Sequence, residues 1–202
     1  MEKTIIIESV EQITGFQYGN KYHTERLIEL LKLRDQVAAF HPCILEKDLD
    51  RDIETLWLDK ANRISLTKDY KGQYFVGSYK HYSNLDTYAL AKIRDSVPAP
   101  KHFKVLSTKN FNAWIAYCLQ VDALAKQQNE ANGIKKIEYL AKLDAAVKSG
   151  GYNLQINESG SQGYLTSKEL TLTFEINTNG YISERLHFNI SENLENFIKL
   201  SK

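Results

Sequence analysis

The sequence predicts an α+β fold: an N-terminal strand and helical region followed by a C-terminal antiparallel β-meander and a short terminal helix. Three observations predict it. Thr4 to Val10 is a β-branched run of strand character. Between Thr24 and Val147 the apolar residues recur at helical spacing. After Gly150-Gly151 the period changes to two. With 202 residues, 43% hydrophobic and 25% charged, the chain can bury a core without a metal or a disulfide. It reads as one α+β domain over 1–202, with a candidate sub-domain boundary at 97–101, where Pro98-Ala99-Pro100 interrupts any helix.

The elements follow in order. Thr24 is a suitable N-cap for a helix with Leu27, Leu30, Leu31, Val37 and Ala38 on one face, ending before Pro42. A second helix is expected from about Glu46 to Leu66, with the stripe Leu49, Ile53, Leu56, Trp57 and Ile64 and acids in its first turn. Asn84 is expected to cap a third through Ile93. A fourth opens near Thr108 with Phe111, Trp114, Ile115, Cys118 and Ala125, and Asn132-Gly133 is expected to end it. A fifth, with Ile137, Leu140, Ala141 and Val147, runs to Gly150-Gly151.

In the last fifty residues Tyr152, Leu154 and Ile156 alternate with polar neighbours. So do Leu170, Leu172, Phe174 and Ile176, and Ile182, Leu186, Phe188 and Ile190 continue the apolar set, with Glu184 as its one exception. A two-residue Asn179-Gly180 turn would set the apolar sets of the last two strands on opposite faces. A three-residue loop, Thr178-Asn179-Gly180, pairs Ile176 with Ile182, Leu172 with Leu186 and Leu170 with Phe188. Slipping by one residue would expose several large side chains at about 1.5–3 kcal/mol each, so the three-residue loop is the expected one. Ser191 is expected to cap a terminal helix carrying Leu194, Phe197 and Ile198.

A net charge of +1 provides no global attraction for nucleic acid or a membrane surface. The local excess lies in residues 68–104, with seven basic and three acidic side chains. Cys43 and Cys118 are far apart, and free thiols in a reducing compartment are expected. No signal peptide or membrane-spanning run is apparent, so a cytoplasmic protein is expected. Twenty lysines against six arginines point to AT-rich coding and a bacterial or phage origin.

Candidate chemistry is sparse. Asp48, Asp50, Asp52 and Asp59 have EF-hand spacing, but Ile53 stands where such a loop needs glycine. On a helix, Asp48, Asp52 and Asp59 would share one side, as would suit a small metal-dependent hydrolase or an ordinary solvated face. His23, His41, His81, His102 and His187 lack metal-binding spacing, and His41-Pro42-Cys43 has no second ligand pair. Gly160-Ser161-Gln162-Gly163 shares letters with a KH-type loop but joins strand-like segments, so a hairpin connection is expected. No catalytic residue, metal or cofactor is implied.

The segment from Tyr70 to Tyr82 differs from the rest. Tyr70, Lys71, Tyr74, Phe75, Tyr79, Lys80, His81 and Tyr82 crowd together with Gly72, Gly77 and Ser78. Tyrosine offers large contact area with few rotamers to freeze, and Gly and Ser give an adaptable backbone. The composition suits a non-enzymatic protein-protein interaction module, an assembly component or an inhibitor, contacting its partner through Tyr70, Lys71, Tyr74, Tyr79, Lys80, His81 and Tyr82. The same rings, with Lys68, Lys71, Lys80, Lys92, Arg94, Lys101 and Lys104, would suit single-stranded nucleic acid. A strand with its tyrosines half buried accounts for the composition as well. On the polar face of the meander, the register sets Thr173 opposite Arg185 and Thr171 opposite His187, with Glu175 diagonal to Arg185.

Overall fold

The structure, a computed structural model, describes residues 4–14, 21–168, 170–177 and 181–188. The fold is mixed α+β, with two antiparallel sheets and four helices among the described residues. The chain divides into two compact units, one of residues 1–81 and 93–124, the other of 82–92 and 125–202. Residues 97–101 fall inside the first unit. No helix among the described residues is long and apolar enough to cross a membrane.

The first unit is built on a five-stranded sheet ordered β1 (Thr4–Ile6), β2 (Ile44–Asp48), β3 (Ile53–Asp59), β4 (Ile64–Lys68) and β5 (Tyr74–Ser78). The opening strand is shorter than expected. A helix, α1 (Val10–Thr14), follows it, opened by Gln12, whose amide oxygen reaches back to accept from Ser9 N at 3.1 Å and Glu8 N at 2.6 Å, as in one half of a capping box. The next helix, α2 (Lys21–Ala38), begins before Thr24 and ends before Pro42 as expected.

The helix expected over 46–66 does not form. The Asp48 carboxylate accepts from Asp50 N and Arg51 N, at 2.9 and 3.0 Å, and Asp52 takes a left-handed conformation at φ 54°, which turns β2 into β3. A second turn, with Arg63 at φ 56°, joins β3 to β4. The register then lines Leu45, Leu56, Leu66 and Val76 into one apolar row across β2 to β5. Against it pack Leu27, Leu31 and Val37 of α2 and Phe111, Trp114 and Cys118 from the first part of α4 (Thr108–Lys148). Each such side chain contributes about 1.5–3 kcal/mol by leaving water.

At the end of this core face lies an ion pair. The Lys47 side chain is 2% exposed; its ammonium meets Glu54 at 2.8 Å and also bonds Asp52. Burial opposes the charge of Lys47, but the hydrogen bonds to Asp52 and Glu54 outweigh it and hold its pKa above the usual lysine value.

Helix α3 (Thr87–Ser96) is capped by Asp86, whose carboxylate accepts from Ala89 N at 2.7 Å, rather than by Asn84. Asn132-Gly133 does not end a helix. α4 runs unbroken for 41 residues. The buried Asn132 amide donates to Asn84 O at 2.8 Å, and a Cβ at Gly133 would stand only 3.2 Å from the Asn84 side chain. The pair is a docking point for the 84–86 turn, where absence of a Cβ permits close approach.

The second unit has a four-stranded sheet ordered β6 (Asn153–Ile156), β7 (Gln162–Thr166), β8 (Leu170–Ile176) and β9 (Ile182–Phe188). Gly160 to Gly163 belong to the β6–β7 hairpin, as expected. The predicted β8–β9 register forms: Ile176 faces Ile182, Leu172 faces Leu186 and Leu170 faces Phe188. Residues 178–180, the Phe188 side chain, Ile190 and the helix expected after Ser191 lie outside the described residues. The C-terminal part of α4 covers the apolar face, packing Tyr139, Leu140 and Leu143 on Leu165, Phe174 and Ile176. Burial does not reach Leu186, which is 57% exposed on the edge strand.

Candidate functional site

The outer face of the first sheet, opposite the core row, holds an aromatic and polar constellation. Trp57 of β3 faces Ser65 of β4, and Ser65 faces Gly77 of β5. A large ring beside a hydroxyl and then a bare backbone leaves a depression; a Cβ at Gly77 would meet nothing within 4 Å. The Trp57 indole donates to Glu46 at 2.6 Å, and the Lys60 ammonium donates to the other carboxylate oxygen at 2.9 Å. Tyr79 meets the indole edge to face, with ring centroids 6.3 Å apart. This position fixes the tyrosine ring without burying it.

Glu46 is buried, which on its own would raise its pKa, yet hydrogen bonds from Lys60, Thr4 and Trp57 prevail and hold it below the usual glutamate value. A carboxylate kept ionised in this way is a poor general base at neutral pH. It serves instead to lock Trp57 and Lys60 in place.

A cavity of about 1290 Å³ opens beside this constellation, lined by Glu46, Trp57, Ser65, Tyr70 and Tyr79 and also by α2 residues such as Arg26 and Leu30. Its carboxylates Glu46, Glu54 and Asp48 are engaged with Lys60, with Lys47 and Arg26, and with Arg51. Three lining cations, Lys32, Arg63 and Lys68, have no carboxylate partner among the described residues, and the lining Glu29 has no cationic one.

The structure separates the residues that the sequence singles out. Tyr70 stands at the tip of the β4–β5 hairpin, where the Asp69 carboxylate accepts from Lys71 N and Gln73 N and Gly72 takes φ 74°. Its ring is 91% exposed, with the Lys71 ammonium 5.4 Å from its centre. Tyr79 is 56% exposed, and both rings line the same cavity. Tyr74 instead turns into the core, 6% exposed and stacked on Phe103. The Lys80 ammonium lies 3.5 Å from Asp122. His81 is exposed and Tyr82 half-buried; neither lines the cavity, and Tyr82 begins the second unit's share of the chain.

The carboxylate cluster loses its premise, because 46–66 is not a helix. Asp52 bonds Lys47, and Asp59 accepts from the Asn62 backbone and side chain, which with Lys80 nearby keeps its pKa below the usual aspartate value. No group of three or more His, Cys, Asp or Glu among the described residues is placed to hold a metal ion. Both cysteines are free. Burial, reinforced by Asp122, pushes the Cys118 thiol up to about 11, so it remains protonated and unreactive at neutral pH.

Trp57, Glu46, Lys60 and Arg63 belong to the site without having been singled out by the sequence. The signal that could have found them is the period of two in Ile53, Thr55 and Trp57 against Glu54, Leu56 and Leu58. Comparison with protein-family models, with curated proteins and with solved structures finds no match for this chain.

Proposed function

We propose that the chain is a non-enzymatic, cytoplasmic protein-binding module, an assembly component or an inhibitor, that receives its partner on the outer face of the first sheet around Tyr70 and Tyr79. One observation carries the reading: two large, mostly exposed rings open onto one cavity beside Trp57. Aromatic anchors of this kind supply most of the binding energy of many interfaces. The Tyr79 ring is held by the indole before any partner arrives, so little of its side-chain freedom is lost on binding, and the Asp69 turn holds the backbone that presents Tyr70. The lining carries six cations against five carboxylates, with Lys32, Arg63 and Lys68 unpaired against Glu29 among the described residues, and this small positive excess favours an acidic partner surface.

The reading is tested by affinity capture from the native host with wild-type protein and a Tyr70→Ala/Tyr79→Ala variant. The captured protein should be lost from the variant at least tenfold, as expected for removal of anchors worth about 2 kcal/mol each, with the melting temperature unchanged. Equal capture by both proteins would remove the reading. Recovery of nucleic acid, released by salt, would favour the alternative of a single-strand binder. That alternative has fewer free cations than the sequence suggests, since Lys80 is held by Asp122 and Lys92 lies over the Tyr88 ring.

A further inference from the structure

The second sheet turns its apolar side to α4 and a polar side away from it. On that polar side the register brings Gln155, Tyr164, Thr173 and Arg185 into one row across all four strands. Gln162, Glu175 and Ser183 form the adjacent row. A shallow cavity of about 590 Å³ opens over both rows, within the usual size range of small-ligand sites.

Two features set this face apart from an ordinary solvated one. The Tyr164 hydroxyl donates to the Gln155 amide oxygen, which fixes the ring, 40% exposed, as a platform. It also leaves the Gln155 NH2 group unused by that bond. Opposite charges on neighbouring strands normally pair, yet the Arg185 guanidinium and the Glu175 carboxylate, diagonal to one another over the cavity, have no ionic or hydrogen-bonded partner among the described residues.

The chemistry of the ligand follows from this inventory. One cation and one anion line the cavity, so the face carries no net charge and offers a polyanion no gain. It does offer guanidinium and amide donors, carboxylate and hydroxyl acceptors, and one aromatic surface. Hydroxyl groups, which donate and accept at once, can use all of the polar groups, while the C–H face of a sugar ring can cover Tyr164. At ordinary strand spacing the row spans roughly 14 Å, room for a short oligosaccharide. We infer that this face of the second sheet is a binding site for a neutral oligosaccharide, with Tyr164 as its stacking platform and Arg185 and Glu175 as its hydroxyl-recognising groups.

The test is an NMR titration of the full chain with cellohexaose, xylohexaose, maltohexaose and chitohexaose in turn. At least one should shift amides of β6 to β9 with a Kd on the order of 1 mM or tighter. Tyr164→Ala and, separately, Arg185→Met should each weaken that binding at least fivefold; both side chains are exposed, so both variants should fold. Tyr70→Ala/Tyr79→Ala should bind the sugar as wild type does, which keeps the outcome separate from the first unit's reading. Absence of shifts with all four sugars would overturn the inference, as would undiminished binding by both single variants. Shifts produced by an oligothymidylate and abolished by salt would overturn it in favour of nucleic acid.

Discussion

The two sheets solve the same problem in different ways. In the second, Leu165, Phe174 and Ile176 turn to α4 while Tyr164, Thr173 and Glu175 turn away, so apolar and polar residues alternate, with Glu184 opposite Phe174 as the exception. In the first, the core face includes Lys47 and Glu54, and the outer face includes Trp57, with Tyr79 against it edge to face. A strand can carry a charge inward only if a neighbouring strand supplies the opposite charge at the same level, and here Lys47 and Glu54 are direct cross-strand partners. That arrangement leaves the outer face available for aromatic residues. The first sheet therefore carries a charged pair inside and shows the Trp57 and Tyr79 rings outside, beside Glu46 and Lys60.

The largest expected effect comes from breaking that inward pair. Lys47→Ala would leave Glu54, whose side chain is 2% exposed, with only the exposed Arg26 guanidinium at 3.7 Å in place of a hydrogen-bonded ammonium. A loss of about 3–5 kcal/mol is expected, read as a lower urea midpoint by tryptophan fluorescence, since both indoles, Trp57 and Trp114, lie in the first unit. Combining Lys47→Met with Glu54→Leu should restore most of the loss, because an apolar pair of similar volume needs no charge compensation. If the single substitution cost less than about 1 kcal/mol, the pair would not be structural and the contrast between the sheets would weaken.

The pH dependence of the first unit follows from the same groups. Glu46 has a folded-state pKa below its unfolded value of 4.5, so the stability it contributes is present above pH 4.5 and is lost as pH falls through the folded-state value. Lys47 has a folded-state pKa above 10.5, so its contribution is full below pH 10.5 and is lost as pH rises through the folded-state value. The urea midpoint should accordingly fall on the acid side, and Glu46→Gln should flatten that limb while leaving the alkaline limb in place. An acid limb of unchanged steepness in Glu46→Gln would show that other carboxylates govern it.

The contrast also accounts for what could be read from the sequence. In the second sheet the β8–β9 register was legible, because both strands keep most of their apolar set on one side and Ile176 can meet Ile182 in only one arrangement. In the first, the sequence predicts a helix over 46–66. Lys47 and Glu54 interrupt its inward pattern, and Leu49, Ile53, Leu56, Trp57 and Ile64 fall by chance at helical spacing. Asn132-Gly133 misled for a related reason: a pair that usually ends helices here serves a contact with Asn84, distant in sequence. Within the candidate site, Tyr70 and Tyr79 were legible from composition, but Tyr74 could not be told from them until alternation in β5 turned it inward. Trp57 becomes part of a site only on a strand, where it shares a face with Glu46 and Ser65.

A smaller effect tests the second sheet from inside. Gly163 lies on its apolar face opposite Phe174, and a Cβ there would overlap the Gln155 carbonyl oxygen and approach the Phe174 ring to 2.8 Å. Gly163→Ala should destabilise the unit by about 1–3 kcal/mol through overpacking, read as lost hydrogen-exchange protection in β7 and β8. Full protection in the variant would mean that the ring has room to move and that the packing on this face is looser than its burial implies.

The smallest expected effect has the opposite sign and lies on the outer face of the first sheet. Gly77 also sits in a strand, but a Cβ there meets nothing within 4 Å, and its backbone does not require a left-handed conformation. Gly77→Ala should therefore stabilise the first unit by about 0.4–1 kcal/mol, by restricting the unfolded chain. A strand that would be more stable with alanine has no packing reason to hold glycine. The depression beside Trp57 and Ser65 is the remaining reason, so the more stable variant should capture the partner less well than wild type. Improved stability with undiminished capture would leave Gly77 outside the binding surface and confine that surface to Tyr70, Tyr79 and the rim they share.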